Sequence, residues 1–270
     1  MTVLITGAAG LVGSGLRREL AADGLQLRLF DRQPVTALAP HETAVLGDIS
    51  DASLLTSAMQ GARAVVHLAG CTTDAPMEDQ LAGNVVGAFN VFEAARQAGV
   101  ERVIYASSHH VVGYYPRRRR IGTDVLLRPD SRYGLTKAFG EQVGAMFADK
   151  YGLRVLCVRI GFVEERPVDQ RRLSIWSSWR DLAQLVRIGL NHPQLRYEVV
   201  YGVSGNARGF FDNAAAFRLG YRPQDDAEQH AAAVLAQVPA EDPTLVGTHV
   251  MGGWAANNEF VGPISRVDEW

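Results

Sequence analysis

A hydroxyl, a phenol and an ammonium recur at short spacing in the middle of this chain. Ser107-Ser108 closes an apolar run, and Tyr133-Gly134-Leu135-Thr136-Lys137 follows. Tyr133 and Lys137 are four apart, so on a helix they share a face and the ammonium sits near the phenol. A tyrosine with an unperturbed pKa of about 10 is a poor base at neutral pH, and each unit by which Lys137 and an oxidised nicotinamide lower it is worth about 1.4 kcal/mol. The expected base is therefore a tyrosinate at 133, with Ser108 hydrogen-bonding the reacting oxygen. Taking the proton of an alcohol in this way is half of an oxidation, and the other half needs a hydride acceptor.

The N-terminus offers a place for one. Val3-Leu4-Ile5 is a short apolar run suited to a buried parallel strand, and Leu11, Leu16, Leu20 and Ala21 follow with helical spacing. Thr6-Gly7-Ala8-Ala9-Gly10-Leu11-Val12-Gly13 thus falls on a strand-to-helix turn. Gly7 allows the tight turn, Gly10 lets the backbone approach a pyrophosphate, and Gly13 permits close helix packing. Asp31 ends the second apolar strand, Leu27-Arg28-Leu29-Phe30-Asp31, where a carboxylate can accept from the adenosine ribose and repel a 2′-phosphate. The expected cofactor is NAD, with Arg32 beside it as the feature that would favour NADP. Lys137 would also hold the nicotinamide ribose.

The elements that must position these groups alternate along the chain. Strands are expected near Val3 to Thr6, Gln26 to Asp31, Ala44 to Leu46, Ala64 to His67, Arg102 to Ser107 and Arg154 to Ile160. Helices are expected near Leu11 to Ala22, Asp51 to Met59, Asp79 to Ala98 and Ser131 to Tyr151. That order implies an α/β fold, a doubly wound parallel sheet of the Rossmann type. After Ile160 the alternation weakens, although Ser178 to Leu190 and Asp226 to Gln237 read as helices and Tyr197 to Tyr201 as a strand. The expected division is a dinucleotide-binding core over 1–160, carrying the catalytic residues, and a smaller substrate-capping region over 161–270.

Composition fits that reading. The 270 residues are 47% hydrophobic and 21% charged, enough for a large core, and a net charge of −2 gives no general attraction to nucleic acid. Met1 opens onto the first strand, and no run reaches the ~18 apolar residues of a membrane span. A cytoplasmic enzyme is expected, without membrane or nucleic-acid partners. Cys71 and Cys157 read as reduced, small core residues, with a place facing the cofactor as the second reading for Cys71.

With these motifs in place, the chain resembles the extended short-chain dehydrogenase/reductase family, within the NAD-dependent epimerase/dehydratase superfamily, over nearly its whole length. It is most similar to the NAD-dependent uronate dehydrogenases. The resemblance rests on Ala106 to Pro116 (ASSHHVVGYYP), Arg128-Pro129-Asp130 before Tyr133, Val158-Arg159-Ile160-Gly161, Leu173-Ser174-Ile175-Trp176 and Phe210-Phe211-Asp212-Asn213. It implies oxidation of the anomeric carbon of glucuronate, galacturonate or a related sugar acid or aldose to a lactone. Ser108, Tyr133 and Lys137 take the catalytic roles. Leu11, Val12, Asp48, Ile49, Leu68, Ala69 and Gly70 join the glycines, Asp31 and Arg32 around the cofactor, with Asp48 and Ile49 flanking the adenine. Thr72, Ser108, His109, His110, Phe162 and Arg171 surround the substrate, and Arg171 grips its carboxylate. Two positions depart from the branch: His109 stands where it has asparagine, and Phe162 where it has a serine near the carboxylate. A homo-oligomer is a family expectation.

Some of these residues have plainer readings. His109-His110 suggests a metal pair, yet neighbours on an extended segment point to opposite sides, so no metal is expected. Arg171-Arg172 without the resemblance would be an ordinary solvated pair. Arg117 to Arg120 reads as a solvated loop, or as a positive rim that attracts an anionic sugar. Two other function classes stay open. A sugar-nucleotide epimerase or dehydratase of the superfamily is usually longer, and a non-catalytic dinucleotide-binding protein would not need Tyr133 and Lys137.

Overall fold

The structure is a computed structural model, and it describes residues 1–72 and 75–269. In chain order the first half contains β1 (Thr2–Thr6), α1 (Leu11–Leu20), β2 (Gln26–Asp31), β3 (Glu42–Leu46), α2 (Ala52–Met59), β4 (Ala64–His67), α3 (Met77–Gln80), α4 (Gly87–Gln97) and β5 (Arg102–Ser108). There follow α5 (Arg132–Tyr151), β6 (Arg154–Ile160), β7 (Phe162–Val163), α6 (Arg172–Ile175), β8 (Trp176–Ser177), α7 (Trp179–Asn191), β9 (Tyr197–Gly202), α8 (Ala214–Arg218), α9 (Glu228–Gln237) and α10 (Val246–His249). Among the described residues no helix is long and apolar enough to cross a membrane.

Seven strands form one parallel sheet in the order β3-β2-β1-β4-β5-β6-β9. Alternate side chains of each strand feed opposite faces, as the pleat requires. Val3 and Ile5 join Leu27 and Leu29 in a core completed by Leu16 and Leu20 of α1 and Leu182, Leu185 and Val186 of α7. Leu4, Val65, Val103 and Val155 face the other way, onto α2, α4 and α5 through Leu55, Phe92 and Phe147. Strand order reverses beside β1, which pairs with both β2 and β4, and a crevice opens there at the carboxyl ends.

Two elements beyond Ile160, expected to cap the sheet, instead complete its layers. α7 packs on α1, where the Trp179 ring fills the space a side chain at Gly15 would need. β9 pairs with β6 as the edge strand, and the Asn213 side chain bonds both the N–H and the C=O of Tyr201. That amide takes the place of a neighbouring strand and closes the edge. The expected helix over 79–98 starts two residues earlier and is irregular, with a π-helical stretch at Leu81–Val86 between α3 and α4.

Candidate active site

Gly7 has φ +72°, and a Cβ there would lie 2.6 Å from the Ala69 amide nitrogen, so the loops after β1 and β4 meet only because this residue is glycine. At Gly13 a methyl would collide with the Gly7 carbonyl and Ala8, which keeps the start of α1 tight against the loop. Gly10 caps α1 and meets only the Gly7 carbonyl, at 3.3 Å. With no side chain capping the first turn, the amides of Leu11, Val12 and Gly13 are left for an anion. Asp31 is held in place by the amides of Ala9 (2.9 Å) and Gln33 (2.8 Å).

A cleft of about 700 Å³ runs over this crevice. Gly7, Gly10, Asp31, Arg32, Asp48, Ile49, Leu68, Ala69, Gly70 and Thr72 all line it. Leu11, Val12 and Gly13 open α1 and do not line the cleft, Leu11 being exposed and Gly13 buried. The Ser50 amide and hydroxyl hold the Asp48 carboxyl below its usual range. Cys71, expected as core filler, is half-buried on the cleft wall with its thiol 3.2 Å from the Asp79 carbonyl; Cys157 is fully buried in β6.

Ser108 ends β5 and is buried. Ser131 caps α5 by accepting from the Gly134 amide, and this brings Tyr133 into the first turn beside Ser108. Lys137 Nζ donates to the Ala106 carbonyl (3.0 Å) and lies 5.7 Å from the centre of the Tyr133 ring. The structure therefore brings Ser108, Tyr133 and Lys137 together. It does not lower the phenol. Burial pushes Tyr133 up to about 12, with the Ser108 hydrogen bond pulling down and the Asp130 charge pushing further up. The protein's own groups thus leave the phenol protonated at neutral pH, so a tyrosinate needs the further positive charge of an oxidised nicotinamide; Lys137 uses one of its three N–H bonds on the Ala106 carbonyl, and burial brings its own pKa down to about 8.

Beneath this group lies a buried network invisible to sequence reading. Ser107 donates to Glu141 (2.6 Å), and Glu141 accepts two bonds from Arg159 (2.9 Å each), tying α5 to β5 and β6. On the cofactor side, Asn84 in the π-helical stretch bonds both the N–H and C=O of Cys71 and the hydroxyl of Thr136, joining the cleft wall to α5. Neither residue belongs to a local pattern that would have flagged it.

On the substrate side the two histidines lie in a 3₁₀ turn, His109–Val112, not on an extended segment. Their ring centres are 4.1 Å apart, which corrects the geometric premise above. His109 uses both nitrogens: Nδ1 donates to the Ile160 carbonyl (3.1 Å) and Nε2 accepts from Arg171 (3.3 Å). Burial, with His110 and Arg171 nearby, holds it well below the usual histidine range, so it is neutral. Among the described residues no group of three or more His, Cys, Asp or Glu side chains is placed to hold a metal.

Arg171 is buried, and its only bonded partners among the described residues are His109 and the Met251 carbonyl (3.0 Å), both uncharged. Burial brings its pKa down to about 10, an arginine short of negative charge. Gly253 makes the room, since a side chain there would collide with the guanidinium. Phe162 packs beside Ile175, Val203 and Met251, with the Arg172 guanidinium 4.6 Å from its ring centre.

The arginine run is a solvated loop at Arg118, Arg119 and Arg120, which are exposed, while Arg117 is tucked in. Arg117 bonds Glu241 and the carbonyls of Gly247 and Val250, Arg118 pairs with Asp268, and Arg119 lies over Tyr115. These bonds pin the C-terminal segment that delivers Met251 and Gly253 to the site.

The profile of the NAD dependent epimerase/dehydratase family matches residues 3–165. The chain is 40% identical to uronate dehydrogenase from Pseudomonas putida over 90% of this chain and 92% of that one. Among solved structures, a variant of uronate dehydrogenase from Agrobacterium tumefaciens complexed with NAD superposes with a TM-score of 0.92 at 37% identity, covering 97% of this chain and 99% of that one. Glucuronic acid dehydrogenase from Chromohalobacter salexigens superposes with the same TM-score and identity over 94% and 96%.

Proposed function

The chain belongs to the NAD dependent epimerase/dehydratase family, and from that premise we propose that it is an NAD-dependent dehydrogenase oxidising a hexuronic acid at its anomeric carbon to a lactone. The observation that carries the substrate class is one continuous row. Tyr133 and His110 have ring centres 5.9 Å apart, His110 and His109 4.1 Å, and Arg171 lies 3.3 Å from the far nitrogen of His109. A pyranose uronate carries its carboxylate on C5, on the far side of the ring oxygen from the anomeric carbon, so an anomeric hydroxyl at a proton acceptor leaves the carboxylate to be met by a separate, uncompensated buried cation.

The uncapped start of α1 and the open face of Gly10 fit a pyrophosphate, and Asp31 fits the ribose hydroxyls of NAD. Bound, the oxidised cofactor supplies the hydride acceptor and a positive charge beside the phenol. Ser108 orients the anomeric hydroxyl, Tyr133 takes its proton, and Lys137 holds the ribose and backs the phenol electrostatically. The test mixes purified protein with NAD and a panel of uronates, neutral aldoses and sugar nucleotides and follows reduced nicotinamide. Accumulation with glucuronate or galacturonate is the expected result. Interconversion of a sugar nucleotide without it would assign an epimerase, and neither outcome would leave a binding protein.

A further inference from the structure

Asp130 precedes the catalytic helix and is almost wholly buried, with 3% of its surface exposed. It makes no ion pair with a lysine or arginine among the described residues. One carboxylate oxygen accepts from His110 Nδ1 (2.7 Å) and the other from the Ser131 hydroxyl (2.8 Å). The backbone closes the same loop, because the Asp130 amide donates to the His110 carbonyl (3.2 Å). Two glycines from distant parts of the chain leave room for this carboxylate, since a methyl on either Gly113 or Gly252 would collide with it. A buried carboxylate is costly unless its hydrogen bonds are complete, and here the fold pays for one whose chief partner is a histidine ring beside Ser108 and Tyr133.

We infer that Asp130 is a positioning residue that fixes the proton of His110 on Nδ1 and leaves Nε2 as a hydrogen-bond acceptor for a substrate hydroxyl. In a neutral imidazole the two nitrogens divide the roles of donor and acceptor, and a carboxylate on one decides both. Nε2 has no partner among the described residues, and the ring meets Tyr133 edge to face. A sugar held by Ser108 and Tyr133 at one hydroxyl thus meets an acceptor for a neighbouring one. This goes beyond the uronate reading, on which it rests only for the identity of the sugar.

Asp130→Asn replaces the charged acceptor with an amide that can donate to Nδ1 as well as accept from it, so the Nδ1–H form of His110 is no longer fixed and the Nε2–H form presents a donor where an acceptor is needed. The expected loss in kcat/KM is about 10- to 100-fold. Because the effect passes through His110, the loss should vanish in a His110→Ala background. Gly252→Ala is the second variant; it keeps the carboxylate but displaces it, and its loss should be masked by His110→Ala in the same way. Losses that add across the cycle would overturn the inference.

Charge gives a separate readout. Tyr133 is faced by Ser108, His110, Lys137 and Asp130, and Asp130 is the carboxylate opposing its ionisation. Asp130→Asn should therefore move the alkaline rise of kcat/KM to lower pH, with or without His110, so the cycle is compared on the alkaline plateau, where this direct effect of charge is absent and only the effect through His110 remains. Nitrogen NMR of the His110 ring tests the tautomer without any substrate. An Nε2–H ring in the parent protein overturns the inference even if uronate is oxidised. An Nδ1–H ring in a protein that oxidises no sugar acid overturns the uronate reading and leaves the inference standing.

Discussion

The phenol that receives the substrate proton is made less acidic by its own surroundings. Burial carries Tyr133 to about 12, so the ionised form grows as pH rises, and kcat/KM for oxidation should climb from neutral into alkaline solution. Tyr133→Phe should keep NAD affinity, because the ring still packs, while turnover falls by roughly 10²- to 10⁴-fold. A variant with near-native turnover and the same pH profile would reject the assigned base. On the proposed uronate reading, Arg171 holds the other end of the sugar. Its two neutral partners leave its charge for a ligand, so Arg171→Ala should raise KM for an acidic sugar by about 1.5–3 kcal/mol, roughly ten- to a hundredfold. The KM of a neutral aldose should be unchanged. If uronate and aldose respond alike, the carboxylate is read elsewhere.

Among the elements, the tightest constraint is the turn between β1 and α1. Alanine normally favours a helix over glycine by about 1 kcal/mol. At Gly13 that gain meets a collision with the Gly7 carbonyl and the Ala8 backbone. Gly13→Ala should therefore weaken NAD binding and lower the melting temperature; a rise in Tm with unchanged nucleotide titration would show that the turn yields freely. The glycine spacing and the strand-helix alternation were legible because each obeys a local period. The edge position of β9 was not, since its short apolar run would suit a strand in the cap equally well, and only pairing with β6 assigns it to the main sheet. Within the arginine run the exposed Arg118 to Arg120 were legible as solvated, but the anchoring of Arg117 was not, because Glu241 and Val250 lie more than a hundred residues away.

For the whole molecule, buried titratable groups fix a window of stability. Burial, with Lys137 nearby, lowers His67 from 6.5 to about 3. The unfolded chain therefore binds a proton that the fold refuses, and stability is lost as pH falls below 6.5 toward 3. On the alkaline side, burial raises Tyr105, Tyr133, Tyr197, Tyr201 and Tyr221 above 10.0. Those phenols ionise first in the unfolded chain, so stability present below pH 10 is lost above it. Lys137, lowered to about 8, works the other way between about 8 and 10.5. Melting temperatures taken across pH should fall below about 6.5, hold level to about 8, rise towards 10 as the unfolded chain's Lys137 loses its proton, and fall above that as the tyrosines take over. A melting temperature that holds level past pH 11 would show the tyrosines are not buried as described.

By itself the sequence determined the Rossmann sheet, the dinucleotide turn with Asp31, and the Ser108, Tyr133 and Lys137 group, because these depend on strand and helix periods and on spacings of a few residues. The tertiary structure decided how those groups are tuned and what faces them. His109, read in sequence as a departure from the family pattern, became a neutral acceptor for Arg171. Asp130, at first only part of a resemblance, became the partner of His110. Gly252 and Gly253, unremarkable in sequence, shape the space for Asp130 and Arg171. The physical reason is separation along the chain: Arg171 and the Met251 carbonyl stand 80 residues apart, and a contact made only by folding leaves no period to read.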